Sequence, residues 1–185
     1  MKKVIWITGG GTGIGKAVAI KFANQGWNVA ISGRRENILK EVEGINPNIK
    51  SFPLDVNDKG KCFEIMKNIK DEFGDIDICF FSTGTWDPKK EKEIDVEQIE
   101  NVFKVNFFGT LNCIKAVEDH FRNRKNGIIT IVSSIAGYKG LPNSTGYGPS
   151  KAALNNLAES LYFDFGRYGV RAVSYTHLTL PTSHC

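Results

Sequence analysis

The chain has 185 residues, a length that predicts one globular domain with a hydrophobic core of its own. Hydrophobic residues make up 41% and charged residues 24%, which excludes a disordered chain, and no apolar stretch approaches the ~20 residues of a membrane helix. The net charge of +4 comes from interleaved signs, as in residues 89–93, and predicts solvated faces rather than a nucleic-acid surface.

Apolar runs of strand length alternate along the chain with segments of helical periodicity. Strands are predicted at residues 4–8, 28–32, 49–54, 76–81 and 128–132, and a sixth strand begins at 170–173. Helices are predicted at 14–24, 36–43, 58–73 and 149–166, and residues 96–121 form one long helix or two in tandem. The alternation predicts an α/β fold: a doubly wound parallel sheet of Rossmann type in three αβα layers, with a ligand crevice at the carboxyl ends of the strands.

A glycine-rich turn lies between the first strand and the first helix, where residues 8–15 read Thr-Gly-Gly-Gly-Thr-Gly-Ile-Gly. Glycines permit a sharp turn and let the backbone approach a pyrophosphate closely, and the helix that follows offers unpaired N–H groups to the anion. We therefore expect a dinucleotide phosphate site that includes Gly9, Thr12, Gly13, Ile14 and Gly15.

The second strand is followed by Gly33, Arg34 and Arg35, where an NAD-specific site would place a carboxylate on the ribose 2′-hydroxyl. A guanidinium suits a 2′-phosphate, so Arg34 favours NADP(H), with NAD(H) as the alternative cofactor and a solvated surface charge as the alternative role. Asp55 and Val56 follow the third strand, where Asp55 either bonds the adenine amine or begins a turn.

A tyrosine and a lysine are spaced so that one helical face carries both. Tyr147 and Lys151 are four residues apart at the start of a predicted helix, a spacing that is also common by chance. A free phenol has a pKa of about 10 and is a poor acid–base group at neutral pH. The ammonium of Lys151, together with an oxidised nicotinamide, would lower that pKa and make Tyr147 a general acid or base.

Two further polar residues occupy positions that allow either a catalytic or a structural role. Ser134 follows the fifth strand, where its hydroxyl either holds a substrate oxygen or satisfies the turn backbone. Asn106 lies in an apolar helical segment, where its amide needs a partner or a water molecule.

The cysteine pattern argues against disulfides and metal sites. Cys62, Cys79 and Cys113 lie within apolar patterns, and none of the four cysteines forms a C-x-x-C pair. We therefore expect reduced, buried thiols in a cytoplasmic protein that binds no metal.

Taken together, these residues resemble the short-chain dehydrogenase/reductase family in its single-domain branch, from Lys2 to about Val173. The glycine turn has the family's spacing, as do the 13 positions from Ser134 to Tyr147 and the four from Tyr147 to Lys151. Asn106 falls on the family's fourth catalytic position.

The resemblance implies an NADP(H)-dependent oxidoreductase that moves hydride between the nicotinamide and a carbonyl or secondary alcohol of a small molecule. It implies that Tyr147 is the general acid/base, that Lys151 tunes it and binds the nicotinamide ribose, that Ser134 orients the substrate oxygen, and that Asn106 holds a relay water. It also implies a homodimer or homotetramer built on the helices at 96–121 and 149–166. A non-catalytic dinucleotide-binding module is the alternative function.

The chain departs from the family pattern after the fourth strand. The family's Asn-Asn-Ala-Gly is replaced here by Phe-Ser-Thr-Gly at residues 81–84. Gly84 keeps the close approach to the cofactor, whereas the contacts of the asparagine amides are lost.

A second departure begins after Val173, where the family continues into a substrate lid and a seventh strand. Residues 174–185 instead resemble translated adapter sequence at the end of a gene fragment. We therefore expect a domain at residues 1–173, a non-native tail at 174–185, and a sheet without its last strand or strands. The tail residues His177, His184 and Cys185 are then not expected to form a metal site. The chain is expected to be poorly stable and weakly active or inactive. An inactive truncated fragment is therefore the second alternative to an enzyme.

Overall fold

The computed structural model describes residues 2–88 and 93–176. Residues 89–92 of the charged run and residues 177–185 of the predicted tail therefore lie outside the described residues.

In the part of the chain that the structure describes, six parallel strands form one sheet, in the order β3-β2-β1-β4-β5-β6. The strands are β1 Val4–Thr8, β2 Asn28–Gly33, β3 Ile49–Pro53, β4 Ile78–Phe81, β5 Gly127–Val132 and β6 Val170–Tyr175. The order reverses between β1 and β4, and a crevice opens at such a point beyond the carboxyl ends of the strands. The predicted Rossmann-type parallel sheet is therefore confirmed.

Both faces of the sheet are covered, because successive residues of β1 enter opposite halves of the core. Val4 and Trp6 pack in one buried cluster, while Ile5 and Ile7 pack in the other. All five residues of β1 are buried, which explains why this strand is apolar throughout rather than alternating.

Six α-helices lie within the described residues and form the two outer layers: α1 Gly13–Asn24, α2 Glu36–Glu43, α3 Lys59–Phe73, α4 Val96–Phe103, α5 Gly109–Arg124 and α6 Tyr147–Gly166. A π-helical turn at Lys104–Phe108 joins α4 to α5, so the helix predicted over 96–121 is three consecutive segments. None of the described helices is both long enough and apolar enough to span a bilayer.

The fourth strand begins two residues later than the sequence predicts, and side chains contact the two residues before it. The Ile76 carbonyl accepts hydrogen bonds from His120 Nε2 at 3.0 Å and Arg124 Nη1 at 2.6 Å. The Asp77 carboxylate accepts from the Val4 N–H at 2.7 Å and pairs with Arg124 Nη2 at 2.6 Å. These contacts connect β1, β4 and α5 at the amino ends of the strands.

The sixth strand continues past residue 173. Ser174 and Tyr175 pair with β5, and the Tyr175 carbonyl accepts the Ser133 N–H at 2.8 Å. β6 is the edge of the described sheet next to β5. The boundary at 173 and the non-native tail stay predictions.

Three cysteines are buried and free, as the sequence predicts for them. Cys62 and Cys113 meet between α3 and α5 with their sulfur atoms 3.8 Å apart, and Cys79 is fully buried in β4. Burial raises the pKa of the Cys79 thiol, which keeps that group neutral.

We predict that Asp77→Ala lowers the free energy of unfolding by about 2 kcal/mol, because it removes a charged acceptor from the Val4 N–H and from Arg124. Asp71→Ala is the matched control, since Asp71 pairs with an exposed Lys67 and its loss should cost less than about 0.5 kcal/mol. Urea unfolding of both variants measures the two changes in the free energy of unfolding. Equal decreases in the two variants would contradict a stabilising role of the Asp77 contacts.

Candidate active site

The glycine-rich turn after β1 has a backbone that side chains would obstruct. Gly9 and Gly13 adopt positive φ angles of 69° and 53°. A Cβ at Gly15 would collide with the Gly9 carbonyl, and one at Gly10 would lie 2.7 Å from the Ile31 Cβ. The turn therefore packs closely on the sheet, and the first N–H groups of α1 are left facing the crevice.

A cleft of about 350 Å³ lies along this turn, within the ~300–1,000 Å³ typical of small-molecule sites. Nine residues predicted to bind the cofactor line it: Gly9, Thr12, Gly13, Ile14, Gly15, Arg34, Asp55, Val56 and Gly84. The other two, Tyr147 and Lys151, are not among its lining residues.

Several residues that the sequence analysis did not select also line the cleft, most of them at the carboxyl ends of strands or just beyond. They are Ser82, Thr83, Thr85, Val105, Val132, Ile38, Leu39 and Leu54. The strand ends alone could have identified the segment from Ser82 to Thr85, because every parallel strand presents its carboxyl end to the crevice.

The side chain of Asp55 stabilises a turn, which is one of the two roles predicted for it. Its Oδ1 accepts the Asn57 N–H at 3.0 Å, while its side chain still lines the cleft. The adenine contact stays a prediction.

Hydroxyl groups secure the loop in which the family's asparagines are missing. Ser82 Oγ donates to the Thr8 carbonyl at 2.6 Å, and Thr8 Oγ1 accepts the Thr83 N–H at 3.4 Å. The ends of β1 and β4 are therefore fastened together beside the cleft.

Lys151 is a buried cation next to this cleft. It is 4% exposed, and its Nζ donates to the Val132 carbonyl at 2.9 Å. The Nζ lies 3.4 Å from where a Gly84 Cβ would be, and 5.6 Å from the centroid of the Tyr147 ring. Burial lowers the pKa of Lys151 to about 8, so the ammonium form predominates at neutral pH.

Asn106 is completely buried, and its carboxamide joins three segments of the chain. Oδ1 accepts the Thr85 N–H at 2.7 Å, and Nδ2 donates to the Thr85 carbonyl at 3.1 Å and to Ser150 Oγ at 3.0 Å. Its own carbonyl accepts from Thr110 Oγ1 at 2.8 Å. The buried amide therefore finds its hydrogen-bond partners within the protein. Asn106 lies in the π-helical turn, and π-helical turns are frequent at functional sites.

Ser134 lies at the end of β5 and caps the short 3₁₀ turn Ile135–Gly137. Its Oγ accepts the Ala136 N–H at 3.2 Å, which is the structural role expected as one alternative. The turn packs on α6, since a Cβ at Gly148 would lie 3.0 Å from the Ala136 carbonyl. Ser134 is therefore close to the start of the helix that carries Tyr147 and Lys151, and its contact with a substrate stays a prediction.

An indole that the sequence analysis did not select stacks on Tyr147. The ring centroids of Trp86 and Tyr147 are 5.1 Å apart, with 21° between the ring planes. Trp86 Nε1 also donates to the Asn143 carbonyl at 2.9 Å. Its position two residues beyond Gly84, in a loop that follows a strand, was the available signal.

Comparison with known proteins gives one family. The family model described as short chain dehydrogenase matches residues 3–180. An uncharacterised oxidoreductase of Staphylococcus saprophyticus is 36% identical over 177 residues, which cover 93% of this chain and 76% of the relative. Dehydrogenase/reductase SDR family member 7 of Mus musculus is 32% identical over 173 residues, which cover 89% of this chain and 51% of that protein.

A solved structure described as ElxO with NADP bound superposes with a TM-score of 0.87. It is 29% identical in sequence, and the match covers 94% of this chain and 72% of that one. The similarity therefore extends over nearly all of the described sheet and its helices.

We predict that Lys151→Met raises the free energy of unfolding at pH 7 by about 2 kcal/mol in the absence of dinucleotide. Burial of the ammonium costs more than its one hydrogen bond returns. The unfolded chain binds this proton more tightly, so wild-type stability rises with pH between about 8 and 10.5, and the difference between the proteins shrinks there.

Urea unfolding at pH 7 and at pH 9.5 measures this difference. Lys139→Met is the control, because Lys139 is exposed and its loss should change the free energy of unfolding by less than about 0.5 kcal/mol. A Lys151→Met protein less stable than wild type at pH 7 would show that the buried ammonium stabilises the fold.

Proposed function

The chain belongs to the short chain dehydrogenase family, and from that premise we propose that it is an NADP(H)-dependent oxidoreductase acting on a carbonyl or secondary alcohol of a small molecule. One observation carries the proposal. A buried ammonium, Lys151 Nζ, lies between the lining of a cleft at Gly84 and the ring of Tyr147. A buried cation costs stability, so the fold gains nothing from one at this place. A phenol that acts as an acid or base, however, benefits from a cation nearby.

The residues around the cleft fit a dinucleotide. The glycine turn leaves no room for a Cβ at Gly15, which suits close approach of a pyrophosphate to the backbone. The first turn of α1 offers its N–H groups, and Asp55 and Val56 line the region beyond β3. When bound, the dinucleotide supplies or accepts the hydride.

We assign Tyr147 as the general acid/base that gives a proton to the substrate oxygen or takes one from it. The Lys151 ammonium, 5.6 Å from the ring centroid, stabilises the negative charge that forms when the phenol proton leaves. Asn106 holds the loop at Thr85 against α6, next to Lys151, and is assigned to the proton relay. Ser134 is assigned to orient the substrate oxygen from the end of β5.

NADP(H) is the preferred cofactor, because the cleft wall after β2 is formed by Gly33, Arg34 and Arg35. Both arginines are exposed, and no ion pair among the described residues occupies them, so either guanidinium is available to a 2′-phosphate. ElxO, which binds NADP in its solved structure, supports the same preference.

We also propose that the protein forms a homodimer or homotetramer in the cytoplasm. Helix α6 exposes Tyr162 and Phe163, which are 57% and 75% exposed, and the π-helical turn exposes Phe108. Large exposed side chains on adjacent helices are typical of surfaces that meet another subunit. The three buried free thiols suit a reducing compartment.

We predict that Tyr147→Phe lowers kcat for carbonyl reduction at least 100-fold, because the proton donor is lost, while the Kd for NADPH changes less than about threefold. Turnover is followed by loss of NADPH absorbance and binding by quenching of tryptophan emission. Tyr168→Phe is the control, because it removes the same hydroxyl from a tyrosine that bonds Arg122 and does not line the cleft, and it should leave both quantities unchanged. A wild-type protein that binds NADPH and reduces no carbonyl would instead support the non-catalytic module.

We predict that Arg34→Ala raises the Kd for NADPH about tenfold or more and leaves the Kd for NADH unchanged, because only NADPH carries the 2′-phosphate. Arg171→Ala is the matched control, since Arg171 is an exposed arginine on β6 that does not line the cleft. Equal weakening of both cofactors by Arg34→Ala would contradict the role of Arg34 in selectivity.

A further inference from the structure

We propose that Trp86 positions Tyr147 and forms an aromatic wall that selects carbonyl substrates bearing a flat aromatic group. The inference rests on the proposed function, since it names the substrate class of that same site. It is carried by the stacked contact between the two rings, by the hydrogen bond of the indole, and by the part of the indole left exposed.

The position of Trp86 in the fold connects it with the cofactor cleft. The residues of the loop after β4 that line the cleft are Ser82, Thr83, Gly84 and Thr85. Trp86 is the next residue, and Asn106 fixes both backbone polar groups of Thr85 immediately before it. The indole is therefore anchored at the end of the cleft.

The contact geometry makes Trp86 a bridge between two loops. Its ring lies nearly parallel to that of Tyr147, with centroids 5.1 Å apart. Its Nε1 donates to the carbonyl of Asn143, which has a positive φ of 51° in the loop that leads to α6. The indole therefore fixes the orientation of the Tyr147 ring from outside the helix, while α6 fixes the backbone.

The remaining surface of the indole is what a substrate would meet. Trp86 is 44% exposed although it stacks on a neighbour and its N–H is satisfied. A substrate whose oxygen reaches the Tyr147 hydroxyl brings its flanking groups next to this flat apolar surface. An aromatic group can stack there, whereas a saturated ring of equal size makes a poorer contact.

The experiment compares two ketones of similar size, acetophenone and cyclohexyl methyl ketone, with NADPH as reductant. Wild type is expected to have the higher kcat/KM for acetophenone. Trp86→Ala should raise the KM for acetophenone about tenfold and change that for cyclohexyl methyl ketone less than threefold. Its kcat should fall for both ketones, because Tyr147 is less well oriented. Trp86→Phe keeps a flat ring and should restore most of the preference.

Trp27→Ala is the matched control, because it also removes an indole that packs against a neighbouring aromatic ring. Trp27 is also a half-buried tryptophan that packs against an aromatic ring, that of Phe22, but it precedes β2 at the opposite ends of the strands. This variant should leave the KM and kcat for both ketones unchanged, which separates the proposed role of Trp86 from a general loss of an aromatic contact.

A readout without turnover uses the complex with NADP⁺, which has no hydride to give. Acetophenone binding to this complex, measured by calorimetry, should weaken about tenfold in Trp86→Ala and little in Trp86→Phe. In near-ultraviolet circular dichroism, Trp86→Ala and Tyr147→Phe should each change the signal of the stacked pair.

The outcomes separate the two proposals. A wild-type protein that reduces no carbonyl compound contradicts the proposed function, and the substrate inference fails with it. A wild-type protein that reduces other carbonyl compounds but neither reduces nor binds these two ketones overturns the substrate inference alone. Two further results overturn the substrate inference alone. One is a wild-type protein with equal kcat/KM for both ketones. The other is a Trp86→Ala protein in which the KM rises to the same extent for both ketones.

Discussion

One fully buried carboxamide holds the site together. Asn106 is bonded to both backbone groups of Thr85 and to the Ser150 hydroxyl, so it joins the loop after β4, the π-helical turn and α6. The loop borders the cleft, and α6 carries Tyr147 and Lys151. Because each buried polar atom of the amide needs its partner, the three segments keep one relative arrangement.

The two ends of the sheet serve opposite purposes. At the amino ends, Asp77 and Arg124 satisfy the backbone of β1 and the turn before β4, which closes that side of the fold. At the carboxyl ends, the glycine turn and the start of α1 line the cleft, and Lys151 is a buried cation without a carboxylate among its described contacts. The end of the sheet that carries the cleft therefore contains a feature that costs stability, as active sites commonly do.

The sequence predicts the features that depend on local patterns. Apolar runs placed β1 at its observed bounds, and the glycine spacing located the turn that lines the cleft. The π-helical turn was not predicted, because it differs from an α-helix by one residue in a pattern that stays apolar. The stacking of Trp86 on Tyr147 and the contact of Lys151 with Val132 depend on distant segments that meet only in the folded chain. The contact of Arg124 with Ile76, just before β4, has the same origin, since the two residues are 48 positions apart.

Transfer of an isotope from the cofactor to a carbonyl carbon tests the central claim most directly. The protein is incubated with NADPH that carries deuterium at both C4 positions of the nicotinamide and with a panel of aromatic and aliphatic ketones. We expect mass spectrometry to find one deuterium on the carbinol carbon of an alcohol product, formed in amounts that match the NADPH consumed. NADPH binding without label in any alcohol would contradict it and would leave a chain that binds the dinucleotide without catalysing hydride transfer.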